Sequence, residues 1–492
     1  MSLTFKVQPQ ELMPTYNPVV IVATSSQQAQ LNYQLVSSIY CRGSLVTKMK
    51  TPVNPEGYMV VDIHKHLENR ISFDFNPGLT GFSIATQSFA SYSVSFADEF
   101  RENWYFTDNQ FNLIGATGYT GFIGPVGGPQ PNYTVGESIF VTQNDGYQNA
   151  SYNGVHTIIS ITYSASKWKI VTDALWASSS PANPGYITYP NFQLTTIAST
   201  YSIPEKYAFN GVLSFQDYRN WNYDDWDTNT STPGRFFTNA PTTGLGNDTD
   251  YELDILGGLF LNLYQNANSE IRYLKVRTSA GTYSITNPYT SISTNDQCRF
   301  LQVNASPYYF YTLGWLNSST KYMELWIENS VNQRTTKIYK FKISDKCSKY
   351  ERMQLLFMDK MGSFVSYTFN LVNRQTKNIN KTDYQQFYGS YAPASQNWTY
   401  NTWDRGRKSL DVVTVDSYTL NSDWVNQDTS NYLMELFESP EVYLVTFDGL
   451  NYLIEAINVT VQSTERKQVI NEQIINYTLT FEKSNKNSSQ RG

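Results

Sequence analysis

Two clusters in this 492-residue sequence combine residue types that could do chemistry. The first holds Asp217, Trp221, Tyr223, Asp224, Asp225, Trp226 and Asp227. Paired carboxylates can act as the acid and base of a glycosidase or as oxygen ligands of calcium, and indole faces stack on pyranose rings. Loop aromatics equally suit a protein contact. The acids lack the D-x-D-x-D-G spacing of a calcium loop, so the cluster is read as an interface ahead of a sugar site. Asp224 and Asp225 are the acids that a polysaccharide-degrading alternative would use. The second cluster is Asp62, His64 and His66, which would share one face of an extended strand at a metal-site spacing. The third histidine, His156, falls in another expected domain, and a D-x-H-x-H on a solvent-facing edge is commonplace. No G-x-S-x-G, H-E-x-x-H or phosphate-binding glycine loop is present. No catalytic, cofactor-binding or metal-ligating residue is assigned, and the chain is not expected to be an enzyme.

Composition points to what would hold such residues. Aromatics make up 15% and charged residues 16% of the chain, with 38 Tyr, 27 Phe and 10 Trp, while helix-forming Leu/Ala/Glu/Lys stretches are scarce. Large polar-tipped aromatics suit pleated, half-buried surfaces, so the fold class expected is all-β and multidomain. A net charge of −6 without a Lys/Arg block argues against direct nucleic-acid binding. Cys41, Cys298 and Cys347 are too few and scattered for a disulfide framework and are expected as reduced thiols. No charged leader with an apolar run and no apolar stretch of about 18 residues is present, so no secretory signal or transmembrane segment is expected. The protein is expected to be cytoplasmic at synthesis, or to leave the cell by lysis instead of secretion.

The organising stretch is a β-hairpin. Met353, Leu355 and Phe357 alternate with Gln354, Leu356 and Met358, and Asp359 to Gly362 supplies the turn. Phe364, Ser366 and Thr368 then alternate with Val365, Tyr367 and Phe369. Apolar residues on both faces place it at the centre of a sandwich with sheets covering each side. Four domains are expected: an Ig-like antiparallel β-sandwich over 1–106, a linker with an inserted SH3-like barrel over 107–200, a second sandwich over 201–403, and a C-terminal β unit with one helix over 404–492. In the linker, Gly115, Gly118, Gly121, Gly124 and Gly127 recur every third residue. That is collagen's period, but five proline-poor triplets read better as a flexible linker. Tyr152-Asn153-Gly154 and Asp448-Gly449 are expected turns, and His64 to Asn69 one helical turn. Leu433, Leu436 and Phe437 share a helical face, with Ser422-Asp423-Trp424 as the expected cap and Ser439-Pro440 as the stop.

With these pieces in place, the chain resembles large virion proteins of crAss-like bacteriophages and their relatives that infect Bacteroidetes. The resemblance rests on Pro14, Tyr16, Asn17 and Pro18 in the opening strand, and on Pro52 and Pro55 in a turn. It continues with Cys347 and Tyr350 before the hairpin, Gly362 and Phe369 within it, and Ser422, Asp423, Trp424, Ser439 and Pro440 around the helix. It implies a structural component of the virion tail, tail hub or portal-proximal ring. Partners would be further copies of the chain in a ring or trimer and neighbouring tail or portal-vertex proteins. A carbohydrate- or receptor-binding protein at the tail tip, touching host glycan, is the alternative.

Overall fold

The computed structural model describes residues 3–30, 32–104, 119–123, 134–136, 138–143, 154–175, 192–197, 201–228, 231–241, 251–267, 270–290, 298–344, 350–422, 424–447, 452–460, 476–485 and 487–488. The chain is all-β in character, and the described residues contain four short α-helices. Contacts divide it into two compact units: residues 1–70 with 90–208, and residues 71–89 with 209–492.

The first unit carries the expected short alternating strands. Val20–Ser25 and Gln34–Cys41 bury every second residue, as a strand with one wet face must. Leu3–Val7, Val20–Ser25 and Met59–Asp62 form a three-stranded sheet. Gln34–Cys41 pairs with Ser44–Pro52 on one side and with Phe89–Trp104 on the other. Phe5 and Phe96 link the two sheets, their rings tilted at 59° with centroids 5.2 Å apart. Residues expected to form a separate SH3-like barrel are arranged differently. Phe192–Ile197 pairs with Phe89–Trp104, and beyond it Ser138–Gln143, Gly154–Ser164, Lys167–Leu175 and Tyr119–Ile123 continue one open ladder among the described residues. Of the period-three glycines only Gly121 is described, within Tyr119–Ile123. The other four, and most of the linker expected around them, lie outside the described residues, as do Tyr152, Asn153, Asp448 and Gly449.

The second unit is a sandwich built on the organising hairpin. Met353–Met358 and Phe364–Phe369 pair in register, with Gly362 at φ +82° in the turn. Neighbouring strands are Val442–Phe447 on one side and Leu259–Asn266 on the other, within an eleven-stranded sheet. A five-stranded sheet packs on one face, where Leu355, Phe357 and Val365 meet Leu274, Val276, Leu325 and Phe341. That sheet is antiparallel except where Glu252–Asp254 runs parallel to Tyr339–Ser344. The helix Gln427–Glu438 adds Tyr432, Leu433 and Leu436 to the same core. Each such side chain contributes about 1.5–3 kcal/mol by leaving water. The opposite face is covered by an irregular segment and not by the second sheet expected. Phe73, Phe75 and Leu79 lie over Phe260, Leu356, Phe364 and Val445. Phe75 stacks on Tyr443 at 4.8 Å.

Two local expectations are corrected. The helix cap is Asn426, whose side chain accepts from the Thr429 amide at 2.9 Å. Ser422 instead accepts from the Tyr477 amide at 2.7 Å, and Asp423 and Cys347 lie outside the described residues. The boundary expected at 403/404 falls inside a hairpin whose strands, Arg374–Gln385 and Arg407–Asn421, pair along twelve positions. The expected C-terminal unit continues the central sheet through Val442–Phe447.

Candidate functional site

The Asp217–Asp227 segment is built from local turn chemistry. Ser214 caps the short helix Phe215–Arg219, accepting from the Asp217 amide at 3.2 Å while the Asp217 carboxylate accepts from its hydroxyl at 2.5 Å. Asn222 caps the turn Tyr223–Asp225 through the Asp224 amide. Asp227 is buried; desolvation raises its carboxyl above the usual range, and it accepts from Asn266 Nδ2 at 2.6 Å. The two indoles stack on each other at 5.7 Å and 23°. Trp221 then leans on Phe209, and Trp226 on Phe237 and the Arg235 guanidinium. A half-open cleft of about 360 Å³ lies beside them, lined by Asp217, Asn220, Asp225, Arg235 and Asn239 among others. Trp221 is 8% exposed and serves the core, a poor platform for a sugar ring. Trp221→Ala is expected to cost about 3 kcal/mol in urea unfolding, where loss of an exposed platform would leave stability unchanged.

Asp62, His64 and His66 do not share a strand face. Asp62 ends the strand Met59–Asp62, and both histidines lie in the helix His64–Glu68, where residues two apart point in different directions. Asp62 Oδ1 accepts from the Val19 amide at 3.0 Å and lies 2.9 Å from His64 Nδ1, so it pins the helix start to the sheet. Among the described residues no three His, Cys, Asp or Glu side chains gather as a metal site. The side chain of His156 lies outside the described set.

Sequence reasoning missed two features. The first is a buried pair of carboxyls behind the hairpin turn. Asp359 Oδ1 accepts from the Met361 and Ser363 amides, each at 3.0 Å. Its Oδ2 accepts from the Thr238 hydroxyl at 2.6 Å and from Tyr432 at 3.4 Å. Glu435, on the helix Gln427–Glu438, accepts from the Lys360 amide at 2.9 Å and from Asn239 Nδ2 at 3.1 Å. Desolvation and then the charge of Glu435 push Asp359 up to about 8, and desolvation raises Glu435 as well. The pair ties turn, helix and segment 238–239 together. Thr238 and Asn239 also edge the cleft, which makes the pair its rigid backing.

The second is an arm. From Leu371 to Thr414 no residue is buried. Arg374–Gln385, which is exposed at every position, forms the outer edge of the central sheet. Beyond it, Ser390–Ala392 pairs with Asn397–Thr399 to form a small tip. That tip is an ordered object. Trp398 Nε1 donates to the Tyr388 carbonyl at 3.0 Å, Thr399 Oγ1 to the Ser390 carbonyl at 3.1 Å, and Tyr388 and Tyr400 pack at 5.5 Å. Six aromatics stand in water there: Phe387 at 94%, Trp403 at 76%, Tyr400, Tyr388, Tyr391 and Trp398. A usable signal was present in the one-sided polar run R-Q-T-K-N-I-N-K-T-D-Y-Q followed by a burst of aromatics. A strand without an apolar face cannot be a core strand.

No family model matches the chain, and no curated protein matches it. Among solved structures it is similar to a "tetra-tandem repeat in extending region of large adhesion protein", at 10% identity. That match covers 85% of this chain and 94% of the other with a TM-score of 0.11, too poor a superposition to bear on fold or function.

Proposed function

We propose that the chain is a structural component of a bacteriophage particle, in the tail, tail hub or a portal-proximal ring, and acts through repeated protein–protein contacts without turning over a substrate. The observation that supports this most is the arm. Two strands with no core beneath them gain little by folding alone, and six exposed aromatics are costly in water unless a partner covers them. The arm is anchored in a stiff sandwich, so a contact made at its tip is transmitted to a rigid body. Many modest contacts repeated by symmetry hold an assembly without any one being strong. Mass spectrometry of density-purified particles is expected to find the chain at a stoichiometry matching a ring, and imaging of the particle to locate it at the tail or portal vertex. Its absence from purified particles defeats the proposal.

The same tip supports one other reading, a carbohydrate-binding protein at the tail end, because exposed Tyr and Trp faces also stack on sugars. Binding of the purified chain on a glycan array, abolished by replacing the tip, decides for it.

A further inference from the structure

We infer that the arm docks onto the body of a second copy of this chain, in a head-to-tail contact. The inference rests on the assembly reading above and names its contact element and its partner.

Charge selects the partner. Between Arg374 and Asp411 the arm carries six Lys/Arg and three Asp, a formal +3, which leaves −9 on the rest of a chain totalling −6. The arm and the rest of the chain are thus opposite in net charge, which favours contact between the arm of one copy and the body of another. Charge also disfavours the simplest alternative, in which two arms pair edge to edge. The open edge strand carries Arg374, Lys377 and Lys381 against Asp383, with Lys377 3.7 Å from Asp416 and Asp383 paired to Arg407, and this net positive edge works against pairing with its own copy. An arm that does not pair with an arm reaches a different surface, and such a heterologous contact closes into a ring or runs on as a filament. The outer part of the strand, residues 381–385 paired with residues 407–412, has no third strand beside it among the described residues and spans about 17 Å at 3.3–3.4 Å per residue, with the tip beyond it. At the tip, Gly389 at φ +93° lets the chain pass so close to the Trp398 indole that an added Cβ would lie 2.4 Å from Nε1. The tip is therefore shaped before it meets a partner, which reduces the ordering cost of docking.

The test uses the full chain and a variant in which residues 387–404 are replaced by a short glycine-serine turn. Because no residue of the replaced segment is buried, the variant is expected to keep the melting temperature of the parent. Sedimentation in 50 mM salt should show the parent as a concentration-dependent oligomer and the variant self-associating at least tenfold more weakly. Raising salt to 0.5 M should weaken the parent's association without abolishing it, because the six Lys/Arg lie along the arm outside the replaced segment and salt screens them, whereas burial of the tip aromatics is not screened. Carbodiimide coupling of a mixture of isotopically light and heavy chains should give intermolecular links from Lys381 or Lys408 to body carboxylates. A parent that stays monomeric at 100 µM in low salt overturns the inference, as does a tip-replaced variant that associates equally well. Binding of a glycan or a single-stranded oligonucleotide that is lost with the tip, without self-association, also overturns it. A monomer that is nevertheless found in purified particles defeats this inference and leaves the assembly reading standing. Absence from particles removes that reading on separate grounds.

Discussion

Asp359→Ala is expected to lower the stability of the second unit by about 4 kcal/mol. The carboxyl group is buried, with the Met361 and Ser363 amides donating to one oxygen and the Thr238 hydroxyl bonded to the other. Removing an acceptor from buried donors costs about 1–3 kcal/mol for each donor left unpaired, and water has little access behind this turn. The measurement is equilibrium urea unfolding followed by tryptophan fluorescence. A cost below about 1 kcal/mol would mean that the donors find other partners and that the network does not hold the turn. Asp359→Asn is the informative companion. Its carbonyl can still accept from the two amides, and its amide group can donate to Thr238 Oγ1, so near pH 6 it should cost about 1 kcal/mol or less.

The pH dependence of the same site has a definite sign. An unfolded aspartate titrates near about 4. In the folded chain, desolvation first and then the Glu435 charge raise Asp359 to about 8, and Glu435 is raised as well. Between those limits the folded state holds more protons than the unfolded one, so stability must fall as pH rises. The contribution is complete below the unfolded range, is lost progressively toward about pH 8, and changes little above it. Four units at about 1.4 kcal/mol each set an upper bound. The donated hydrogen bonds are already counted in that value, but relaxation and water entry around the ionised carboxyl reduce the bound, so the expected loss from pH 5 to pH 9 is about 2–3 kcal/mol. Asp359→Asn should flatten most of that slope and so approach or exceed the parent in stability at pH 9. Equal slopes in parent and variant would place the titration elsewhere.

What the sequence revealed follows from which interactions are periodic. The hairpin was legible because Met353 to Met358 and Phe364 to Phe369 are apolar on both faces, a pattern that strands at the centre of a layered fold must have. Its second cover was not legible, because Ile71, Phe73 and Phe75 alternate with Ser72 and Asp74 and so read as a strand of the first sandwich, whereas the structure lays Phe73 and Phe75 as irregular chain over strands far away in sequence. Asp359 read correctly as a turn residue, but a turn is normally wet. Only the approach of Thr238 and Glu435 makes this one dry, and that is a tertiary fact. Trp221 and Trp226 stand out in the sequence, yet packing on Phe209 makes Trp221 core, and Trp226 is left half-buried against Phe237 at the cleft. Asp62, His64 and His66 failed for a simpler reason: the helix begins at His64, and the two-residue period that aligned them ends there. The arm was hidden by the opposite error, in which a long polar run ending in aromatics was absorbed into a sandwich because sandwiches were the expected unit.

Gly362→Ala should cost about 3–5 kcal/mol and tests how tightly the hairpin turn is seated. Two separate effects act there. The residue sits at φ +82°, where a Cβ costs roughly 1–2 kcal/mol in any surroundings. Its Cβ would also lie 2.5 Å from the Asn210 carbonyl oxygen, a backbone atom that cannot swing aside. The neighbouring strand and segment are fixed in turn: Asn262 Nδ2 donates to the Gly362 carbonyl at 2.7 Å, and the Val212 amide to the Lys360 carbonyl at 2.8 Å. Relieving the clash therefore breaks hydrogen bonds that close the turn against the body of the unit. Gly314 provides the control. It lies in the same unit at φ +73° with nothing within 4 Å of an added Cβ, so Gly314→Ala carries the conformational cost alone, about 1–2 kcal/mol. The difference between the two variants, read as a shift in urea midpoint at equal slope, isolates the close approach of the turn to residue 210. If both substitutions cost the same, the turn has room to move, and a sandwich loose at its central hairpin could not serve as the stiff mount that an outstretched arm requires.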